Sequence, residues 1–345
     1  MTKKIALIAV VIAFMQCLLV PVAEGQVNSC KTSVVCSVYS LYYGACIPPI
    51  PLGAYNCSGN GPWSWMCDVP TYNCSPDPCP TCNNSEGGGP IDLSTGNTYI
   101  EESDVRLPGL GGGLGLTRRW NSQTPGYGMF GLGWTSNVED RIYVGGDYLL
   151  KHLRGDGSIW SYGFSGYSQD GSAVQYLLAG PRNGGSKAEL DTTNLTITVK
   201  SGEQKTFDRT TGALLSATDR NGNKTTFSYD SSNRLVTVTD PASRHLYFTY
   251  TQISTGQLSV SVVSGVTSDF GVSFSYQYDS LARLTKVTAP DSTFVSFNYS
   301  PAGLISSVTD TNGKVLESHT YDSLGRGLTA AQAGGVNAVT VTYSY

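Results

Sequence analysis

The sequence predicts an all-β protein of antiparallel hairpins. A short phrase built on a Tyr-Asp pair recurs, strands of alternating polarity flank each copy, and Gly, Asn and Asp mark the turns between them. Composition agrees: there are 21 Tyr and 40 Gly, only 14% of residues are charged, and runs of good helix formers are nearly absent after the first 25 residues.

The phrase reads Tyr229-Asp230-Ser231-Ser232-Asn233-Arg234-Leu235, then Tyr278-Asp279-Ser280-Leu281-Ala282-Arg283-Leu284. A degenerate copy follows at Tyr299-Ser300-Pro301-Ala302-Gly303-Leu304, and a last one at Tyr321-Asp322-Ser323-Leu324-Gly325-Arg326. Tyr278 and Tyr299 are 21 residues apart, and Tyr299 and Tyr321 are 22 apart. A fixed period of this size marks a repeat architecture. Alternating stretches such as Phe294-Val295-Ser296-Phe297-Asn298-Tyr299 and Leu235-Val236-Thr237-Val238-Thr239 read as the two strands of each unit. Asp opens the turn because its carboxylate accepts from backbone N–H groups just ahead of it. Asn233, Ala282, Gly303 and Gly325 fall where a bulged hairpin turn needs a left-handed backbone, and Ala282 should carry mild strain there. Second turns at Asp219-Arg220-Asn221-Gly222 and Asp310-Thr311-Asn312-Gly313 join successive hairpins into one sheet, which supplies the core that a lone hairpin lacks.

These phrases resemble the YD-repeat, or Rhs, family. Four further motifs resemble the domain that opens the shell of many bacterial members, and they follow the family's order. They are Pro90-Ile91-Asp92-Leu93-Ser94-Thr95-Gly96-Asn97, Asp104-Val105-Arg106-Leu107-Pro108-Gly109, Leu116-Thr117-Arg118-Arg119-Trp120-Asn121-Ser122 and Phe130-Gly131-Leu132-Gly133-Trp134. The resemblance covers residues 89–345. It implies a segment of a hollow β-shell that encloses a C-terminal toxin or effector; related shells occur in insecticidal toxin complexes and in teneurins. The family's conserved core region, which ends the shell and supports self-cleavage, does not appear here. Asp240-Pro241 echoes its Asp-Pro element without the neighbouring motif. The expected organisation is a Rhs-type opening β domain over 90–208 and YD repeats over 209–345, incomplete at the C-terminus.

Residues 1–25 read as a signal peptide. Lys3 and Lys4 precede an apolar stretch from Ile5 to Val20, Pro21 breaks it, and Ala23-Glu24-Gly25 offers small residues, so cleavage falls between Gly25 and Gln26. The rival is an uncleaved anchor helix. Either way the remainder is exported, and no later stretch is long and apolar enough to span a bilayer. The expected location is secreted or cell surface. Formal charge is −4, and loss of Lys3, Lys4 and Glu24 takes it to −5, which argues against a nucleic-acid partner.

Residues 26–82 hold Cys30, Cys36, Cys46, Cys57, Cys67, Cys74, Cys79 and Cys82. An even number of cysteines in an exported module reads as four disulfides stapling a loop-rich domain. Cys79-Pro80-Thr81-Cys82 has the spacing of a zinc half-site, but no second such pair and no His accompanies it. Trp63 and Trp65 either plug this module or present a glycan-stacking surface. Residues 83–89 form a polar linker.

No catalytic constellation, metal site or cofactor site is legible. The glycine-rich tract 107–115 has neither the phosphate-cradle spacing nor a strand-to-helix setting. His152, His245 and His319 read as surface or cross-strand residues. The chain is expected to be no enzyme. Its leading functional reading is a structural shell segment acting in encapsulation or delivery of a downstream effector domain. The alternative is a secreted binding module whose partner is a carbohydrate or a cell-surface protein, and the third is a truncated gene product without function.

Overall fold

The computed structural model describes residues 90–343 apart from 94, 125, 146–148, 179–185 and 257, together with the strand pair Cys57–Ser58 and Met66–Cys67. The signal peptide, the linker and the rest of the cysteine-rich module lie outside the described residues. Of that module, the backbone register sets Cys57 opposite Cys67.

The described chain is antiparallel β-structure, with two three-residue 3-10 turns as its helical content. Nineteen strands, from Arg141–Val144 to Val339–Thr340, form one wall in which sequence neighbours pair. The wall closes on itself where its first strand meets the turn at 212–213: Arg141 bridges Ala213, and the Ile142 N–H donates to the Gly212 carbonyl at 3.0 Å. Strand pairing runs through residue 208 without interruption, because Gln204–Asp208 pairs with Leu214–Thr218.

A smaller sheet, Tyr99–Leu107, Leu114–Asn121 and Trp134–Ser136, lies against one face of the wall. Its buried residues, among them Leu114, Leu116, Trp120, Phe130 and Trp134, share a single core with those of the wall. Trp134 meets Phe297 edge-on at 5.0 Å between ring centroids, and Phe130 meets Tyr276 at the same separation.

Strict alternation fails in the second strand of each repeat. Leu235 and Val238 are both buried, as are Leu284 with Val287 and Ile305 with Val308. A bulge explains the spacing of three. The register shifts between Ser228 and Tyr229, Gln277 and Tyr278, and Asn298 and Tyr299, so Tyr229 opposes Leu235 while Phe227 opposes Val238. One extra residue in the second strand, such as Val236, returns both apolar side chains to the covered face. The left-handed turn residues stand where expected: Asn233, Ala282, Gly303 and Gly325 have φ of 57°, 55°, 81° and 77°.

The histidines are cross-strand residues, opposite Trp160, Thr239 and Ala330, but two of them are not at the surface. His152 and His319 are each 4% exposed, whereas His245 is half-buried. His319 opposes Ala330 as Phe297 opposes Val308, so it occupies the apolar column of the repeats.

Candidate functional site: the tyrosine column and its seam

Each repeat turn is a closed hydrogen-bond unit. The Asp230 carboxylate accepts from the N–H groups of Ser232 and Arg234 at 2.9 and 3.0 Å, and its other oxygen accepts from the Arg234 guanidinium. Asp279 with Arg283 and Asp322 with Arg326 repeat this geometry. Hydrogen bonds from Arg234 pull the Asp230 carboxyl below its ordinary range. For Asp279 and Asp322 burial opposes the arginine, which still prevails. In the degenerate copy Ser300 supplies only a 3.3 Å contact to the Leu304 N–H.

The tyrosine of each unit reaches back one unit. Tyr229, Tyr278, Tyr299 and Tyr321 donate their hydroxyls to the carbonyls of Leu214, Val263, Leu284 and Ile305 at 2.7–2.9 Å. Those carbonyls sit at the bulges, where ladder pairing is interrupted. The guanidinium then covers the next tyrosine: Arg234 lies 5.1 Å from the Tyr250 ring centre, Arg283 lies 4.7 Å from Tyr299, and Arg326 lies 4.1 Å from Tyr343. Thus Tyr, Asp and Arg form one linked column.

Two members of the column escaped the sequence reading. Tyr250 and Tyr343 make the same hydroxyl bonds, to Leu235 and Gly327 at 2.8 Å. Tyr250 lacks a following Asp because its hairpin extends through Thr255 and Leu258 rather than turning at once. The 21-residue step from Tyr229 was the available signal. Asp240-Pro241 is likewise a repeat-type turn: Asp240 accepts from the N–H groups of Ala242 and Arg244, both at 2.9 Å. Arg244 then donates to the carbonyl of Pro108 at 3.2 Å, so a guanidinium sits on the glycine-rich tract.

Residues 90–142 run along this column as a seam, with backbone bonds to separate points of the wall. The Met129 carbonyl accepts from the Val263 N–H at 2.8 Å, the Leu132 N–H donates to Ala282 at 3.0 Å, and the Gly96 carbonyl accepts from Gly327 at 2.8 Å. Gly131 is required at its position, since a Cβ there would stand 2.3 Å from the Ala282 carbonyl oxygen.

Among the covered polar groups of the seam are the Arg118–Asp104 pair, Asp140, and the half-buried Glu139. Arg118 and Asp104 form a two-pronged ion pair at 2.6 and 2.7 Å with side chains 2% and 5% exposed. Tyr276 donates to the same carboxylate at 2.7 Å, and Phe130, Trp134 and Tyr276 surround the guanidinium. Burial alone would lower the Arg118 pKa, but the Asp104 charge raises it. Asp140 binds His152 Nε2 at 2.7 Å, the Gly155 N–H at 2.8 Å, and Lys205. Burial raises the Asp140 pKa and depresses that of His152; for Asp140 the hydrogen bond from His152 and the charge of Lys205 more than offset it. The Glu139 carboxyl is pushed up to about 7, chiefly by burial.

This arrangement can hold strands together over a long wall; among the described residues no group of three His, Cys, Asp or Glu side chains is placed to hold a metal. A β-wall of tandem hairpins pegged by Tyr, Asp and Arg, with an apposed opening segment, defines a repeat protein of the shell-forming class. Comparison with known families agrees: the RHS Repeat family matches residues 208–245, and the family described as Domain of unknown function (DUF6531) matches residues 88–162. The chain thus carries Rhs/YD repeats.

Among curated proteins it resembles tRNA nuclease WapA of Bacillus subtilis strain 168, with 27% identity over 151 residues. The tRNA3(Ser)-specific nuclease WapA of Bacillus spizizenii is 29% identical over the same length. Each match covers 43% of this chain, which spans 6% of the length of either relative. Among solved structures, the TcdB2–TccC3 crystal structure aligns at 15% identity and a TM-score of 0.38, covering 68% of this chain and 17% of that one. The Photorhabdus luminescens Tc holotoxin pore aligns at 14% identity and a TM-score of 0.26, covering 69% and 10%.

Proposed function

We propose that the chain forms wall and seam of an exported Rhs shell that encloses a polypeptide effector. The observation that carries this reading is the seam itself. One segment bonds to backbone at Val263, Ala282 and Gly327, points spread across a continuous sheet. Such a segment holds a curved wall shut, and a closed wall separates its contents from solvent and proteases. The reading is structural: the Tyr, Asp and Arg side chains of the column serve as pegs and ion pairs that hold the wall together. The nuclease activity named for the relatives belongs to those proteins; a nuclease is one class of effector that such a shell would carry. Export to the surface or medium follows from the leader expected at residues 1–25.

The test is protection. An unfolded, protease-sensitive reporter fused after Tyr345 should be digested several-fold more slowly than the same reporter alone. Equal digestion would exclude enclosure by this chain. A wall variant with the seam weakened, Gly131→Val, should lose whatever protection the parent gives.

A further inference from the structure

Glu139 occupies a position that wall closure alone does not explain. Its Oε1 accepts from the Met129 N–H at 2.5 Å, and the Met129 carbonyl in turn accepts from Val263 of the wall. The carboxyl therefore clamps the very residue that docks the strap 126–139 onto the repeats. Its Oε2 is buried with no hydrogen bond of good geometry, although the Ser136 hydroxyl lies near enough to the carboxyl to favour its ionised form slightly. Beside it lies a cavity of about 180 Å³, lined by Tyr127, Val138, Arg141, Tyr229, Arg234 and Tyr250 among others.

The surrounding charges leave this carboxyl without a dedicated cation. Arg141, on the adjacent strand, attracts it, and Asp140 repels it while bound to His152 and Lys205. Arg234 is held by Asp230. From the wall it is faced by the hydroxyls of Tyr229, Tyr250 and Tyr278, all raised above the ordinary tyrosine range by burial, so they stay neutral. An ionised carboxylate leaves Oε2 charged and buried, and the Met129, Arg141 and Ser136 contacts do not offset that burial; a protonated one keeps Oε1 as acceptor without that charge.

We propose that Glu139 is a pH-operated latch, holding strap 126–139 against the repeats when protonated and loosening it when ionised. The latch acts on the seam whatever the shell encloses. Its pKa in the docked strap lies near 7, against 4.5 for an ordinary Glu. Docking is thus strongest below the lower value, weakens as pH rises through the window, and changes little above the upper one.

Hydrogen exchange of the Met129 and Val263 amides tests this. After correction for intrinsic exchange, the opening equilibrium should rise by up to about tenfold per pH unit between pH 5 and 7, then level off. Glu139→Gln should flatten that rise, while Glu102→Gln, at another carboxyl of the seam, should leave it unchanged. A flat wild-type profile overturns the latch, and so does an unaltered slope in Glu139→Gln. If Glu139→Gln does not fold, carbon NMR of the wild-type carboxyl decides: a midpoint near 4.5 refutes the proposal and one near 7 upholds it.

Discussion

The Arg283 guanidinium lies 4.7 Å from the ring centre of Tyr299, the tyrosine of the following repeat, while its own Asp279 grips its other edge at 2.6–2.7 Å. One side chain thereby closes its own turn and braces the next. Both roles depend on a planar, forked cation.

Arg283→Ala should accordingly destabilise the wall by about 1–2 kcal/mol, combining a stacked cation with a part-buried ion pair. Arg283→Lys should recover little of the loss, because a point charge neither forks nor stacks as well. Denaturant titration checks both. A double-mutant cycle with Tyr299→Leu should show coupling of about 0.5–1 kcal/mol. Lys187→Ala, which removes an exposed pair at 3.4 Å, should cost less than about 0.5 kcal/mol. Equal losses at Arg283 and Lys187 would mean that the motif is incidental.

The repeat turns make the wall acid-sensitive. Asp230, Asp279 and Asp322 hold depressed pKa values in the fold. A group whose folded pKa is lowered contributes stability above its unfolded value, about 3.9 for Asp, and loses it as pH falls through the folded value. Melting temperature should therefore drop steeply below about pH 4. Replacing all three by Asn should flatten that acid limb while lowering stability at pH 7. An acid limb unchanged in the triple variant would place the sensitive carboxylates elsewhere.

Ala282 combines two demands that its neighbours separate. Its φ is 55°, as a bulged turn requires, and it is fully buried beneath Gly131 and Leu132. Ala282→Gly trades relief of the left-handed backbone against a lost methyl contact. Each is worth about 1 kcal/mol, so little net change is expected. Ala282→Val adds a β-branch in a left-handed, filled site and should cost about 2 kcal/mol or more. Thermal melts of the two variants check this; a tolerated valine would show that the turn relaxes.

Hairpins, turns and the Tyr-Asp-Arg units were legible because they are local: each lies within about seven residues, where turn chemistry dominates. Tyr250 was not, since its hairpin grows to 11-residue strands and carries no Asp after the tyrosine. The bulged turn was legible at Asn233 and its counterparts, but that it shifts the register at Tyr229 and so covers both Leu235 and Val238 only the pairing reveals. Least legible was the seam. Tyr276 and Asp104 are 172 residues apart in sequence, and Arg244 and Pro108 are 136 apart. The opening motifs did mark those residues by resemblance, but nothing local states that Arg118 is buried or that Glu139 faces the tyrosine column.

The buried pair Arg118–Asp104 should be the costliest single point in the seam. Removing one partner leaves an uncompensated charge among Phe130, Trp134 and Tyr276, a loss of about 3–5 kcal/mol. Arg118→Met should strand Asp104, which then keeps only the Tyr276 hydroxyl. Asp104→Asn should strand Arg118 in turn. The paired change Arg118→Met with Asp104→Leu removes both charges and should recover much of the stability. Recovery would show that the pair supplies little net energy and instead fixes how the opening segment registers against the wall. Chemical denaturation gives the energies, and exchange protection at Met129 gives the register. If the double variant is as unstable as either single one, the ion pair contributes to stability in its own right.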